Sequence, residues 1–158
     1  MKYLFFIISM MSLLPLSLSA APAANDIDTL HPVARATPPG IKNSGIFLTL
    51  KNNSDTAHAL VKAHAVVAGA TELHTHIKED GMMKMIPIDK IDIPANADTH
   101  LQPGGLHIML INLKQDLKPG AEIELSLTFE DESTKTLVVP VKKVTPPKGP
   151  GHQKHSTM

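Results

Sequence analysis

The chain has 158 residues, with 15 basic and 15 acidic side chains and no cysteine. A balanced charge with no basic face excludes the electrostatics that nucleic-acid binding requires. With no thiol anywhere, disulfide staples and thiolate metal sites are excluded too, so apolar packing must hold the fold.

Residues 1–23 read as a secretory signal. Lys2 supplies a minimal positive start, Tyr3 to Leu18 is an apolar run, and Ser19 to Ala24 is small residues with one proline. A cut after Ala23 places Ala21 and Ala23 in the A-x-A arrangement, and a cut after Ala21, with Ser19 at −3, is the neighbouring alternative. A membrane-spanning helix wants about 20 apolar residues; this run is shorter and holds Pro15, so no stable membrane insertion is expected once the signal is gone. No cysteine follows that could carry a lipid. Of the charged residues only Lys2 departs, which leaves 14 basic and 15 acidic side chains on 135 residues, net −1. That length suffices for one domain with a core of its own. Phe47 and Phe129 are its only aromatics, so the core must be mostly Ile, Leu, Val and Ala.

In chain order, Ala24 to about Thr29 is a short, largely polar leader expected to be loose at its start, and Val33 to Ala36 a short first strand stopped by Thr37-Pro38-Pro39-Gly40. Gly45 to Lys51 alternates, with Ile46, Leu48 and Leu50 on one face. After the turn Asn52-Asn53-Ser54-Asp55, Ala57 to Val67 is a strand with Val61 and Ala63 as core positions. Glu72 to Ile77 and Met82 to Ile88 flank the turn Glu79-Asp80-Gly81, and Asp98 to Leu101 and Leu106 to Ile111 flank Pro103-Gly104-Gly105. Glu122 to Glu130 is the clearest strand, with Ile123, Leu125, Leu127 and Phe129 inward, and Lys135 to Val141 closes a domain spanning 24–143. Residues 144–158 are rich in Pro, Gly, Lys and His without periodicity and read as a flexible tail. Short strands separated by turns, with no helical period, indicate an all-β Greek-key sandwich or barrel.

The chemistry concentrates between His74 and Met109, which holds His74, His76, Met82, Met83, Met85, His107 and Met109. Methionine is a common core filler, and an isolated strand histidine is ordinarily a surface residue. Clustered methionines beside paired histidines, in an exported chain without thiols, instead suit copper, above all Cu(I), which thioethers hold without ionising. Strand geometry puts His74 and His76 on one face, Met83 and Met85 on one face, and His107 and Met109 on one face. An Asp80-Gly81 two-residue hairpin places His76 opposite Met85; a loop shifted by one residue places His74 there. Periodicity leaves both registers open. His107-Ile108-Met109 has to be brought in by the fold.

The spacing of His74, ten residues, Met85, twenty-one residues, His107, one residue, Met109 resembles the copper motif of periplasmic PCuAC-type copper chaperones. The flanking segments Ala34-Arg35-Ala36-Thr37-Pro38-Pro39, Gly81-Met82-Met83-Lys84-Met85, Leu101-Gln102-Pro103-Gly104-Gly105 and His107-Ile108-Met109-Leu110 are similar as well, over residues 32–141. The resemblance implies a cupredoxin-like β-sandwich in the periplasm that binds Cu(I), with Cu(II) as an alternative, and passes it to a copper-accepting assembly protein or a cytochrome oxidase subunit. It assigns the metal to His74, Met85, His107 and Met109, with no catalytic residue. Thr75 and then a second histidine, His76, follow His74 where the family often has Met, which leaves open whether His76 competes for the ion or binds Cu(II) after oxidation. His152 and His155 in the tail are candidate Cu(II) ligands, while His31, His58, His64 and His100 read as surface residues and Arg35 as a structural hydrogen-bonding residue. The competing functions are an exported copper-dependent redox enzyme, for which no acid, base or nucleophile constellation is visible, and a metal-free interaction module. A blue-copper electron carrier is excluded by the missing cysteine.

Overall fold

A computed structural model describes residues 21–144. The tail from residue 145, with His152 and His155, lies outside the described residues, as does the expected leader up to residue 20. Among the described residues no helix is long and apolar enough to cross a membrane.

The architecture is the all-β, cupredoxin-like Greek-key sandwich expected. After one helical turn, α1 (Ala23–Asp26), come strands β1 (Ile27–Arg35), β2 (Ser44–Asn52), β3 (His58–His64), β4 (Ala68–Glu79) and β5 (Met82–Pro87). Then follow β6 (Ile91–Ile93), β7 (Asp98–Leu101), β8 (His107–Leu113), β9 (Glu122–Phe129) and β10 (Thr134–Lys142). One layer runs β5-β4-β8-β2-β1, the other β10-β9-β3-β6, and a short parallel pairing of β1 with β10 joins them. Along one side β2 takes β8 at its start and β7 at its end.

Alternation in the strands builds the core between the layers. Ile46, Leu48 and Leu50 meet Leu73, Ile108 and Leu110 from one layer and Leu60, Ile123, Leu125, Leu127 and Phe129 from the other, all essentially without exposed surface. Burying each such aliphatic side chain stabilises by about 1.5–3 kcal/mol, which is how a chain without disulfides and with a single core phenylalanine holds together.

Three expectations need correction. Val61 is exposed, because the pairing of β3 with β9 slips between Leu60 and Lys62, so that Leu60 and Ala63 take the core face and Val61 is turned outward. The leader is not loose: Ala23 and Ile27 are fully buried, Ala23 N–H donates to Asp131 Oδ2 at 2.7 Å, Ala24 N–H donates to Ser133 Oγ, and Lys135 Nζ donates to the Ala24 and Ile27 carbonyls. No local periodicity could reveal these bonds, which span more than a hundred residues. A cut after Ala23 would remove this buried methyl, whereas a cut after Ala21 keeps it.

His58, the third correction, is a clasp rather than a surface residue. Its side chain is 7% exposed, with Nδ1 on Glu130 Oε1 at 2.7 Å and Nε2 on Asp26 Oδ2 at 3.3 Å. Burial disfavours its charge, but the hydrogen bonds to Glu130 and Asp26 outweigh burial and raise its pKa above 6.5. Burial likewise raises the Glu130 carboxyl, yet the Ala59 N–H and His58 more than offset it and hold its pKa below the ordinary value. A raised histidine pKa contributes stability that is complete below about pH 6.5 and lost as pH rises through the folded value; Glu130 contributes stability lost in acid. His58→Gln is therefore expected to cost about 1 kcal/mol near pH 6, discounted for the exposure of both carboxylates. The cost should shrink toward about pH 9 as the imidazolium is lost. Denaturant unfolding at the two pH values reads this, and an equal cost at both would show that charge plays no part.

Candidate metal centre

The site is built on the face of β4, β5, β8 and β2 turned away from the core. Along β4, Leu73 points into the sandwich while Glu72, His74 and His76 point out; along β8, Ile108 and Leu110 point in while His107 and Met109 point out. Antiparallel pairing then sets the neighbours. His74 lies opposite His107 and Glu72 opposite Met109 across β4 and β8, and His76 lies opposite Met85 across β4 and β5. The hairpin turns at Asp80 and Gly81, both at positive φ, with Glu79 facing Met82. Of the two registers open to the sequence, the structure has the unshifted one.

His107 is the hub. Its ring centroid is 5.8 Å from that of His74 and 5.2 Å from that of His76, and its Nε2 is 3.2 Å from Met85 Sδ. Met109 lines the same cavity of about 430 Å³, together with His76, Met83, Met85, Phe47 and Arg35. His74 is not in the cavity wall; it is buried, opposite His107 across β4 and β8. The Phe47 ring underlies the site, 6.3 Å from His107, and it folds back over Gly45, where a Cβ would meet its tip at 3.2 Å.

The imidazole protons are assigned by their acceptors. The Gly105 carbonyl can only accept, so at 3.0 Å it draws the N–H of neutral His107 to Nδ1 and leaves Nε2 as a lone pair facing Met85 sulfur. The same carbonyl, at 3.3 Å, takes Nδ1–H of His76. Glu72 Oε2 takes Nε2–H of His74 at 2.8 Å, leaving His74 Nδ1 buried and without a partner. Burial lowers the pKa of His107 below 6.5 against the Gly105 bond, with the neighbouring charges of His76, His74 and Arg35 adding to the lowering. His107 Nε2 thus faces the Met85 thioether as an uncharged nitrogen donor beside a sulfur donor, a pairing that suits a soft cation. Among the described residues no three His, Cys, Asp or Glu side chains are placed to hold a metal ion.

Sequence reasoning missed Phe47, Glu72 and the Gly105 carbonyl. Only Glu72, two residues before His74 on the same strand face, carried a signal. Arg35 is no structural hydrogen-bonding residue: its guanidinium lies 5.3 Å above the Phe47 ring, and its Nε is buried without a partner.

A second polar cluster has the outline of a nucleophile–base–acid relay, with Ser54 Oγ 3.4 Å from His58 Nε2 and Glu130 on Nδ1. Asp26 also faces Nε2. An imidazole held by carboxylates on both nitrogens keeps both protons and has no lone pair to take one from serine.

A family model described as "Putative lipoprotein LpqE-like" matches residues 27–141. The uncharacterized protein RP573 of Rickettsia prowazekii (strain Madrid E) is 31% identical over 129 residues, covering 79% of this chain and 71% of that protein. The copper-bound PCuAC domain from PmoF2 superposes with a TM-score of 0.65 at 21% identity, over 78% of this chain and 97% of that one. The CuI form of DR1885 from Deinococcus radiodurans superposes with a TM-score of 0.57 at 32% identity, over 76% of this chain and 82% of that one.

In the metal-free protein His107 is expected to titrate below 6.5 and to carry its proton on Nδ1. Nitrogen-edited NMR of the imidazole rings measures both, and an Nε2–H tautomer or a titration above 6.5 would contradict the geometry.

Proposed function

The chain belongs to the LpqE-like family and shares its fold with PCuAC domains, and from that premise we propose that it is a periplasmic copper chaperone. It binds Cu(I) through His74, Met85, His107 and Met109 and delivers it to an acceptor in cytochrome oxidase copper-centre assembly. The observation that carries this reading is the 3.2 Å approach of His107 Nε2 to Met85 Sδ, with the Gly105 carbonyl on the other ring nitrogen. Two lone-pair donors so close repel each other unless a cation lies between them. Uncharged thioether and imidazole ligands favour Cu(I) over harder ions, in keeping with the copper named for PmoF2 and the CuI named for DR1885.

His74 is the second nitrogen ligand because its Nδ1 is the buried atom lacking a partner, while Glu72 anchors the other nitrogen in the manner of a carboxylate–histidine–metal relay. His76, in the cavity wall opposite Met85, serves as an entry or exchange ligand. Met85 stays 45% exposed, so the ion is reachable by an incoming partner. Export follows from the leader over residues 1–23. The copper-named PCuAC neighbours support carriage of the ion over catalysis.

X-ray absorption on the copper-loaded mature protein is expected to count two sulfur and two nitrogen neighbours; a site of oxygen and nitrogen alone would end the proposal. Met109→Leu conserves volume and should change stability by less than about 1.5 kcal/mol. It should weaken Cu(I) by more than the roughly tenfold that loss of an outer-shell group costs. Competition with a chromogenic Cu(I) chelator measures it, and unchanged affinity would remove Met109 from the ligand set. The same titration on His74→Ala and His76→Ala separates the two histidines, with the larger loss expected for His74.

A further inference from the structure

Arg35 is the one charged residue lining the cavity, and no part of the copper reading uses it. Among the described residues no carboxylate lies within ion-pair distance of it and no acceptor takes a hydrogen bond from its side chain. The guanidinium is nonetheless held in place. Its Cζ lies over the Phe47 ring, 5.3 Å from the centroid, the Arg35 carbonyl accepts from Ser44 Oγ at 2.6 Å, and β1 is tied to β10 where Ala36 N–H donates to the Lys142 carbonyl. A guanidinium presents its N–H groups along a planar edge and pairs with carboxylates two bonds at a time. Here that edge includes an N–H sheltered from water with nothing to donate to, a cost that an incoming acceptor would relieve.

Charge and volume point the same way. The thioethers and imidazoles lining the cavity bring no negative charge, so a bound Cu(I) would share the cavity with the Arg35 cation. A naked ion is smaller than one water, whose share of liquid volume is about 30 Å³, whereas the cavity holds about 430 Å³. We propose that Arg35 forms an anion subsite in this cavity and recognises a carboxylate that arrives or leaves with the metal. The subsite deepens the copper reading and rests on it for its purpose, though not for its existence. The carboxylate has two possible sources, a free organic acid that carries copper or an acidic side chain of the protein exchanging it.

The test begins with the metal-free mature protein, titrated with acetate at constant ionic strength while NMR follows the Arg35 Nε–H signal. A saturable shift, absent from Arg35→Gln and weaker in Arg35→Lys, is expected; Arg35→Gln must retain the wild-type circular dichroism. No saturable shift, or equal acetate binding by Arg35→Gln, would leave Arg35 as a mere support for the Phe47 ring and overturn the subsite. A second arm measures apparent Cu(I) affinity against acetate. Coupling is reciprocal, so affinity should rise several-fold in the wild type, with no acetate dependence in Arg35→Gln. Acetate binding without copper binding would sink the copper reading and spare the subsite; copper binding indifferent to acetate would do the reverse. Tighter binding of citrate than of N-acetyl-aspartate amide assigns the carboxylate to a free acid, and the opposite order to a protein side chain.

Discussion

Everything at the candidate centre depends on where three imidazole protons go. A histidine offers one lone pair when neutral, and which nitrogen offers it is decided by the acceptor that holds the other. Here the Gly105 carbonyl holds Nδ1–H of both His76 and His107, and the Glu72 carboxylate holds Nε2–H of His74. With those acceptors in place, His107 Nε2 is turned toward Met85 sulfur and His74 Nδ1 is left bare in a buried position. Without them the same rings could rotate or exchange protons, and the donors would no longer be organised.

Such an arrangement is tolerable because it sits apart from the core. The apolar residues of β2, β4 and β8 that face the sandwich are fully buried, and the imidazoles and thioethers alternate with them on the opposite side of the same strands. Strand geometry thus lets one stretch of chain serve two ends, with odd positions holding the fold and even positions arranging chemistry, or the reverse. Phe47 is where the two meet, a buried ring outside the main core cluster that floors the cavity and carries Arg35. It can lie there because residue 45 is glycine.

The far end of the sandwich shows what a histidine does when its partners differ. His58 is flanked by two carboxylates, which favour its charged form, and ties α1, β3 and the β9–β10 turn together. His107, flanked by a carbonyl, a thioether and other imidazoles, is held neutral. Burial disfavours the charge in both. The sign of the outcome is set by whether negative groups are present to repay the lost hydration, which is why one histidine stabilises the fold and the other remains available as a donor.

The sequence by itself determined the strand pattern of the central elements, since alternation in Ile46–Leu50 and Ile123–Phe129 needs no partner to be read. It also placed His74 with His76, and His107 with Met109, on common faces, because a period of two is local. The soft, thiol-free character of the site followed from residue types alone. Only the tertiary structure decided that β8 lies beside β4 with His107 against His74, that the hairpin takes the register setting His76 against Met85, and that a bulge turns Val61 outward. Ala23 in the core, His58 in its clasp and the Gly105 carbonyl under two imidazoles belong with these. Each is a contact between segments far apart in the chain or a role taken by backbone atoms, and neither distance in space nor a carbonyl's direction is written in the identity of nearby side chains.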